Sequence, residues 1–487
     1  MATLADIVAA LRAAGQLATA PAALPAITGI TADSRRVRPG MLFCAVEGST
    51  ADGHRFLEDA RGRGAAAALV TRAGPTSLPQ LVVRDGRVAT ALAAAAWFGQ
   101  PAARLRLVGV TGTNGKSTTV ALIRHLLNVA GDVGALGTLG GFDGRGAPLP
   151  DDAGLTTPGP VELHAAFAEL AARGTRTVVM ETSSHALHQR RVAGLSFAAA
   201  VYTNLTHDHL DYHGDYERYL AAKALLSDLV PPGGIEAVNL DDPAWQGLAR
   251  RPGLRRVAFG LGEGADARAE GVTLDARGSR FRLHLGPDTV DVRLPLLGEF
   301  NVSNALGAAA VAWGAGMEAG AIAERLGSAP QVPGRMECLV TREWTVLRDY
   351  AHTPDALRRA LRALRPVTSN RLVVLFGCGG DRDRKKRPVM GEIAAREADL
   401  AVVTSDNPRT EDPERILDEI EEGMPGVAHL RIADRREAIR RALALLQPGD
   451  CLLLAGKGHE TYQVLGTERV PFDERVIVRD LVGPEGS

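Results

Sequence analysis

Residues 105–120, LRLVGVTGTNGKSTTV, pass from an apolar run straight into a glycine turn and out again into a helical pattern. A buried strand that feeds a glycine loop opening a helix is half of a βαβ unit. It commits its neighbours to a parallel sheet with crossover helices. The rhythm recurs along the chain. TVVM (177–180) precedes ETSSH, AAAVY (198–202) precedes TNLTHDHLDYH, and RLVVLF (371–376) precedes GCGGDRDRKKRP. LAVV (400–403) precedes TSDNPRTEDP, and CLLLA (451–455) precedes GKGHE. In an open parallel sheet the loops beyond the carboxyl ends of the strands form the ligand crevice. Two loop clusters in one chain predict two half-sites facing each other.

The length of 487 residues exceeds what a single core holds. The sequence divides into 1–95, with short apolar runs such as MLFCAV (41–46) and AAAALV (65–70); 96–329, opened by the glycine loop; and 330–487. Pro330, Pro333 and Gly334 punctuate the second junction. The expected fold is α/β in three domains, a central P-loop-type parallel-sheet ATPase domain followed by a Rossmann-like C-terminal one. A formal net charge of -1 argues against a nucleic-acid scaffold or a polybasic membrane binder. No apolar stretch is long enough to span a bilayer, and MATLADIVAALRAAG reads as a short amphipathic helix rather than a signal peptide. Cys44, Cys338, Cys378 and Cys451 lie far apart, as reduced thiols of a cytoplasmic protein do. Lysine is scarce: five residues (116, 223, 385, 386 and 457) among 56 basic ones, so the rest are arginine. GC-rich coding explains such a bias. The surviving lysines then mark places where a compact or deprotonatable amine is wanted.

The glycine loop departs from G-x-x-x-x-G-K-[ST] because Val110 stands where the opening glycine belongs. Gly112 and Gly115 still let backbone N–H groups approach phosphates, and the following helix aims its positive end at them. Lys116 can reach the β- and γ-phosphates, while the Ser117 or Thr118 hydroxyl can ligate Mg²⁺. No Asn-Lys-x-Asp accompanies any lysine, which favours ATP over a guanine nucleotide.

THDHLDYHG (206–214) superficially matches the H-x-H-x-D-H run of binuclear zinc hydrolases, but Tyr212 separates Asp211 from His213. A solvated polar loop and a Mg²⁺ contact within an ATP site are the competing readings, with Glu181 at its strand end as a carboxylate for the same metal. In YERYLAAKALLSDL, Tyr216, Leu220 and Lys223 share a helical face. Lys223 either snorkels to water or is a desolvated amine of lowered pKa, able to add CO₂ and become a carbamate.

Taken together, TGTNGKST, ETSSH, TNLTxDHLDYHG, the lysine of AAK, GEFNVSN and YAHTPD resemble the Mur ligase family in content and order, across essentially the whole chain. The resemblance implies a cytoplasmic, monomeric, ATP-dependent acid–amino-acid ligase of peptidoglycan precursor synthesis. It adds the third amino acid to UDP-N-acetylmuramoyl dipeptide through an acyl phosphate. It implies that Gly112, Thr113, Asn114, Gly115, Lys116, Ser117 and Thr118 hold ATP phosphates. Ser117, Glu181, His209 and carbamylated Lys223 surround Mg²⁺, and Lys116, Glu181, His209 and Lys223 carry catalysis. Asn301, Asn304, Arg335 and His352 contact the nucleotide. Ser34 and Arg35 of TADSRRV, in a UDP-binding N-terminal domain, lie at the UDP end, with GSTADGH (48–54) near the uridine or pyrophosphate. Thr156, Thr157, Ser184, Gln189 and Arg191 hold the muramoyl peptide. Arg382, Asp406, Asn407, Pro408, Arg409, Gly456 and Glu460 form the amino-acid pocket of the C-terminal domain. His207, at a position where another residue is expected, receives no role. Diaminopimelate carries one more carboxylate than lysine, and Arg409 suits it by presenting a two-pronged donor behind the rigid Pro408. The alternatives are L-lysine or L-ornithine in the same ligation and, more remotely, folylpolyglutamate synthesis, a metal-dependent hydrolase or a non-catalytic ATP-dependent scaffold.

Overall fold

The computed structural model describes residues 2–48, 51–150, 154–206 and 208–483. His207 and the pair Ser49–Thr50 of the GSTADGH segment lie outside these. The chain forms two compact units, Met1–Arg268 with Ser303–Glu318, and Ala269–Val302 with Ala319–Ser487.

The first unit begins with the expected amphipathic helix, Leu4–Ala13. Thr3 and Asp6 cap it reciprocally, and it buries Leu4, Ile7, Val8 and Leu11. A small sheet follows, in spatial order Leu17–Thr19, Gln80–Val83, Ala67–Val70, Met41–Cys44 and Gly29–Thr31, parallel except for its first pair. The larger sheet runs Arg255–Gly260, Ile235–Asn239, Phe197–Tyr202, Arg106–Thr111, Thr177–Glu181, Val133–Gly137 and Gly140–Phe142. Among these seven strands all pairings are parallel except the last. Its central strands are buried almost throughout, as strands of a parallel sheet covered on both faces are. Arg106–Thr111 is flanked by Thr177–Glu181 on one side and Phe197–Tyr202 on the other. The chain reverses its winding there, and the glycine loop sits at that switch point.

The second unit carries a six-stranded sheet, in order Glu337–Thr341, Thr345–Asp349, Cys451–Ala455, Leu372–Phe376, Leu400–Val403 and Leu430–Arg431. Only its first pair is antiparallel. From Leu372–Phe376 the chain winds outward and then returns to Cys451–Ala455, so its switch point lies between those two strand ends.

The α/β expectation holds, with one element that the strand–helix rhythm did not foresee. Ala267–Asp275, Gly278–Leu285 and Asp288–Leu294 are consecutive neighbours, the last two antiparallel. Their signal was local: RFRLHL alternates charged and apolar residues, and Gly278 and Gly286 adopt positive φ at the turns. The four cysteines are free thiols. Among the described residues, no helix is long and apolar enough to cross a membrane.

Candidate active site

In the first unit, Val110 is a fully buried strand residue paired with Glu181. The tight turn starts only at Gly112, which explains the off-pattern loop. Gly112 (φ 146) and Gly115 (φ 82) have positive φ, and a Cβ on either would overlap the Thr203 hydroxyl or the Asn304 amide. Glycine is therefore required twice, once for conformation and once for space. Lys116–Leu127 forms the helix behind the loop. The loop is braced from across the sheet: Thr113 N–H donates to Asn204 O at 2.7 Å and Asn114 N–H to Asn204 Oδ1 at 2.9 Å. Thr119 Oγ1 donates to Asn304 Oδ1 at 3.3 Å.

Both predicted lysines converge on this loop. Lys116 Nζ donates to the carbonyls of Gly112 (3.0 Å) and Thr113 (2.8 Å). Lys223 Nζ donates to the same Gly112 carbonyl at 2.7 Å. Lys223 is 1% exposed, so the snorkelling alternative fails: the amine ends inside, 4.6 Å from the centre of the Tyr219 ring. Burial, and then the neighbouring Lys116 charge, push the Lys223 pKa well below the usual lysine value. Glu181, also buried, accepts from Ser117 Oγ at 2.8 Å and from Thr138 N–H at 2.8 Å. Thr138 escaped the sequence reading. The signal for it was the preceding Gly137, where a Cβ would run into the Glu181 carboxylate.

His209 has φ 54 and is half exposed, its Nε2 3.5 Å from Asp208 Oδ2 and its ring 4.7 Å from that of His185. Burial lowers its pKa. His209, Asp211 and His213 do not converge as a zinc site would. Among the described residues, the one set of three His, Cys, Asp or Glu side chains with ligand atoms within 4.8 Å of one another is Glu47, Asp52 and His54. That set is already saturated. Arg72 pairs with Glu47 and Asp52, His54 Nδ1 lies 2.7 Å from Asp52, and His54 Nε2 accepts Thr71 N–H at 3.0 Å.

Beside the glycine loop, four of the residues expected to hold a muramoyl peptide, Thr156, Thr157, Gln189 and Arg191, form one hydrogen-bonded group. Thr157 Oγ1 donates to Glu181 O at 2.9 Å, and Thr138 Oγ1 to Thr156 Oγ1 at 3.2 Å. Arg191 donates to Thr157 O at 2.8 Å and to Gln189 Oε1 at 2.7 Å, while Gln189 Nε2 donates to the Tyr212 hydroxyl at 3.0 Å. Ser184 Oγ lies 3.1 Å from His213 Nε2. Ser34 and Arg35 stand apart from this group in a short turn, where Arg35 grips Asp33 at 2.8 Å. The adjacent Arg36, not singled out by sequence, pairs with Glu162 at 3.1 Å in the helix that follows the Thr156–Thr157 loop.

The second unit gathers the other cluster. Asp406 and Asn407 are buried at the end of Leu400–Val403. Arg409 adopts φ 52 and donates to Gly380 O at 2.8 Å, and Gly380 N–H donates to Asn407 O at 2.9 Å. Gly456 (φ 112) leaves room that a Cβ would take from the Asp406 carboxylate. Glu460 Oε2 accepts from Asn407 Nδ2 at 2.9 Å and from Lys457 Nζ at 3.1 Å. Arg382 is exposed, donating to Asp381 O at 3.3 Å.

Two buried arginines brace these loops from beneath. Arg435, paired with Glu474 at 2.8 Å, donates to Ser405 O (3.3 Å) and Ala455 O (2.9 Å), one residue ahead of each loop. Arg387 donates to Gly379 O at 3.2 Å and to Glu411 at 2.8 Å and 2.9 Å, holding the Glu411 pKa down to about 2. Sequence reasoning missed both, since a buried arginine reads like any surface one. Of the nucleotide candidates of this unit, Arg335 and His352 both flank Tyr350. Asn301 Nδ2 donates to Leu297 O at 2.8 Å, Arg335 stacks 5.2 Å from the Tyr350 ring, and His352 Nδ1 lies 2.8 Å from Tyr350 O.

A glycine loop of this geometry with a lysine partner, and a second loop cluster of paired acids and arginines, match known proteins along the chain. Residues 26–104 match the Mur ligase family catalytic domain, 110–312 the Mur ligase middle domain, and 334–458 the Mur ligase glutamate ligase domain. The chain belongs to the Mur ligase family. A Geobacillus thermodenitrificans relative is 43% identical over 471 residues, covering 94% of this chain and 95% of the relative. One from Chlorobaculum tepidum is 45% identical, covering 96% and 95%. Both are named UDP-N-acetylmuramoyl-L-alanyl-D-glutamate–2,6-diaminopimelate ligase. A solved structure of a ligase of the same name aligns with TM-score 0.69 and 34% identity, over 95% of this chain and 96% of that one.

Proposed function

We propose that this Mur ligase joins meso-diaminopimelate to the D-glutamyl γ-carboxylate of UDP-N-acetylmuramoyl-L-alanyl-D-glutamate in the cytoplasm, converting ATP to ADP and phosphate. The observation that carries this reading is the loop cluster of the second unit. Arg409, set behind Pro408, and the Asn407–Glu460 pair supply a forked cation and a carboxylate, as a free ammonium–carboxylate end requires. The names of the relatives support the same substrate.

Phosphoryl transfer from ATP to the γ-carboxylate gives an acyl phosphate. The diaminopimelate amine then attacks the acyl carbon, and the tetrahedral adduct expels phosphate. In the first step negative charge spreads over the transferring group. The N–H groups at the start of the Lys116–Leu127 helix and the Lys116 ammonium would meet it. Turning outward from the Gly112 carbonyl would bring Lys116 to the phosphates. Thr156, Thr157, Ser184, Gln189 and Arg191 orient the peptide carboxylate, and Asn304 steadies the loop through Thr119.

The donor set suits Mg²⁺: Glu181 offers carboxylate oxygens beside the Ser117 hydroxyl, both hard ligands. Glu181, Ser117, His209 and Lys223 would hold the ion. Mg²⁺ would supply charge neutralisation for the phosphates. Lys223, buried and pushed toward the neutral amine, is suited to add CO₂ as a carbamate, which would place an anion beside the Lys116 ammonium. Incubation with ¹³C-labelled bicarbonate should give one carbamate resonance that Lys223→Ala lacks. A wild-type spectrum without that resonance overturns the carbamate.

The decisive assay is phosphate release with UDP-muramoyl dipeptide and, in turn, diaminopimelate, lysine and ornithine. Preference for lysine or ornithine would overturn the choice of amino acid. Absence of dipeptide-dependent release would overturn the ligation itself.

A further inference from the structure

Lys457 is one of five lysines in this chain and has no role in the site as read so far. Its side chain is wholly buried (0% exposed), yet it carries a charged group. A charge in such a place must be compensated by geometry. Nζ donates to Asn407 Oδ1 at 3.1 Å and to Glu460 Oε2 at 3.1 Å, and Asn407 Nδ2 donates to that same Glu460 oxygen at 2.9 Å. The three side chains close a triangle. Asn407 Oδ1 also accepts Val464 N–H at 2.9 Å, which ties one corner to the hairpin Tyr462–Leu465 and Glu468–Pro471. Beneath the ammonium lie the Tyr462 and Phe472 rings, each centred 5.9 Å away.

The backbone leaves this lysine little choice of direction. Gly456 and Gly458 on either side have positive φ, and a Cβ on the first would overlap Asp406, on the second Tyr350. The segment is pressed against its neighbours on both sides of Lys457. Arginine replaces lysine nearly everywhere else in the chain, but a planar guanidinium cannot take the place of a compact ammonium at the apex of so small a triangle.

We infer that Lys457 is a positioning residue for the amino-acid substrate: it holds the Glu460 carboxylate by Oε2 and keeps the Asn407 amide turned toward it. Oε1 takes neither bond, so the carboxylate meets an incoming ammonium with its orientation already set. Lys457 also balances Glu460, so the pocket binds a zwitterionic end without gaining net charge. Pre-set orientation of this kind lowers the ordering cost of binding. This inference rests on the reading of the 406–409 and 456–460 loops as the amino-acid pocket.

The test is a kinetic comparison in the full-length enzyme. Lys457→Met should raise KM for diaminopimelate about 30-fold or more, the scale for removing one partner of a buried charged pair. KM for ATP, KM for UDP-muramoyl dipeptide, and dipeptide-dependent ADP–ATP isotope exchange without any amine should stay within about two-fold. Lys457→Arg should not rescue. In the double variant with Glu460→Gln, Lys457→Met should add little, because the lysine acts through that carboxylate. Additive effects, or an equal loss of the exchange reaction, would overturn the inference. If Lys457→Met does not fold, Lys457→Gln carries the same measurements. The pocket reading is tested separately by Arg409→Ala and Glu460→Gln. If neither changes KM for diaminopimelate, that reading falls. If both raise it while Lys457→Met does not, only the role of Lys457 falls.

Discussion

The phosphate loop and the amino-acid loops both lie at sheet switch points, but they handle charge in opposite ways. Around Gly112 two lysine amines are pressed toward one carbonyl, close enough that Lys116 helps depress the pKa of Lys223. In the second unit each buried cation is set against a carboxylate: Arg435 against Glu474, Arg387 against Glu411 and Glu419, Lys457 against Glu460. In the first arrangement burial and the Lys116 charge favour the neutral Lys223 amine, which leaves Lys116 as the cation to meet a polyanion. The second is already balanced, so it discriminates by the direction of its hydrogen bonds. On the proposed function, the protein thus separates attraction for phosphate from selection of the amine.

If the second unit's cations are structural, losing one must cost stability. Arg435→Met leaves Glu474 buried without its partner and should destabilise the second unit by about 3–5 kcal/mol. The double change Arg435→Met/Glu474→Leu should recover much of it, as read by denaturant melting. An unchanged midpoint in the single variant would break the comparison on that side.

On the phosphate side, Lys116→Ala should lower kcat by about 10²–10³, the usual loss for one preorganised charge contact. Its melting curve should barely move. Wild-type turnover would remove the assignment of this loop to ATP.

Arg409→Ala sharpens the contrast, because its effect should be selective rather than general. Diaminopimelate use should fall by about 2 kcal/mol or more in kcat/KM, the loss expected for one half of a charged pair. Any turnover with lysine should change far less. Equal loss with both amines would mean that the loop merely collapses.

The smallest effect concerns neither site. His164 is buried against Phe167 and makes no hydrogen bond, and burial alone pushes its pKa down to about 4. Above about pH 6.5 both folded and unfolded states hold it neutral, and it has no effect. Below that value the unfolded chain takes up a proton that the folded one refuses. Stability therefore falls as the pH drops from 6.5 toward 4, by about 1.4 kcal/mol at pH 5.5. His164→Leu should flatten that part of the stability–pH curve; an unaltered slope would assign the acid sensitivity elsewhere.

Much of this was legible in one dimension, and the pattern of what was not is physical. The glycine loop is a local device: Gly112, Gly115, Lys116 and Ser117 act within a single turn, so their spacing carries their chemistry. The SDNPR and GKGHE loops were legible as strand-end loops for the same reason, each following an apolar strand. The meander over 267–294 was missed, although its alternation is plain, because the surrounding strand–helix rhythm suggested crossovers.

By itself the sequence determined the α/β class and the family, both of which depend on neighbours a few residues apart. It left Lys223 undecided between snorkelling and burial, and gave no role to Lys457, Arg435 or Arg387. Tertiary structure decided those, because a charge acquires its meaning from what surrounds it once water is gone. Lys223 meets the carbonyl of Gly112, 111 residues away in the chain. Lys457 meets Asn407 across 50 residues. No periodicity encodes such distances; they follow only from the winding order of the sheets, which brings remote strand ends side by side and seals their side chains from solvent.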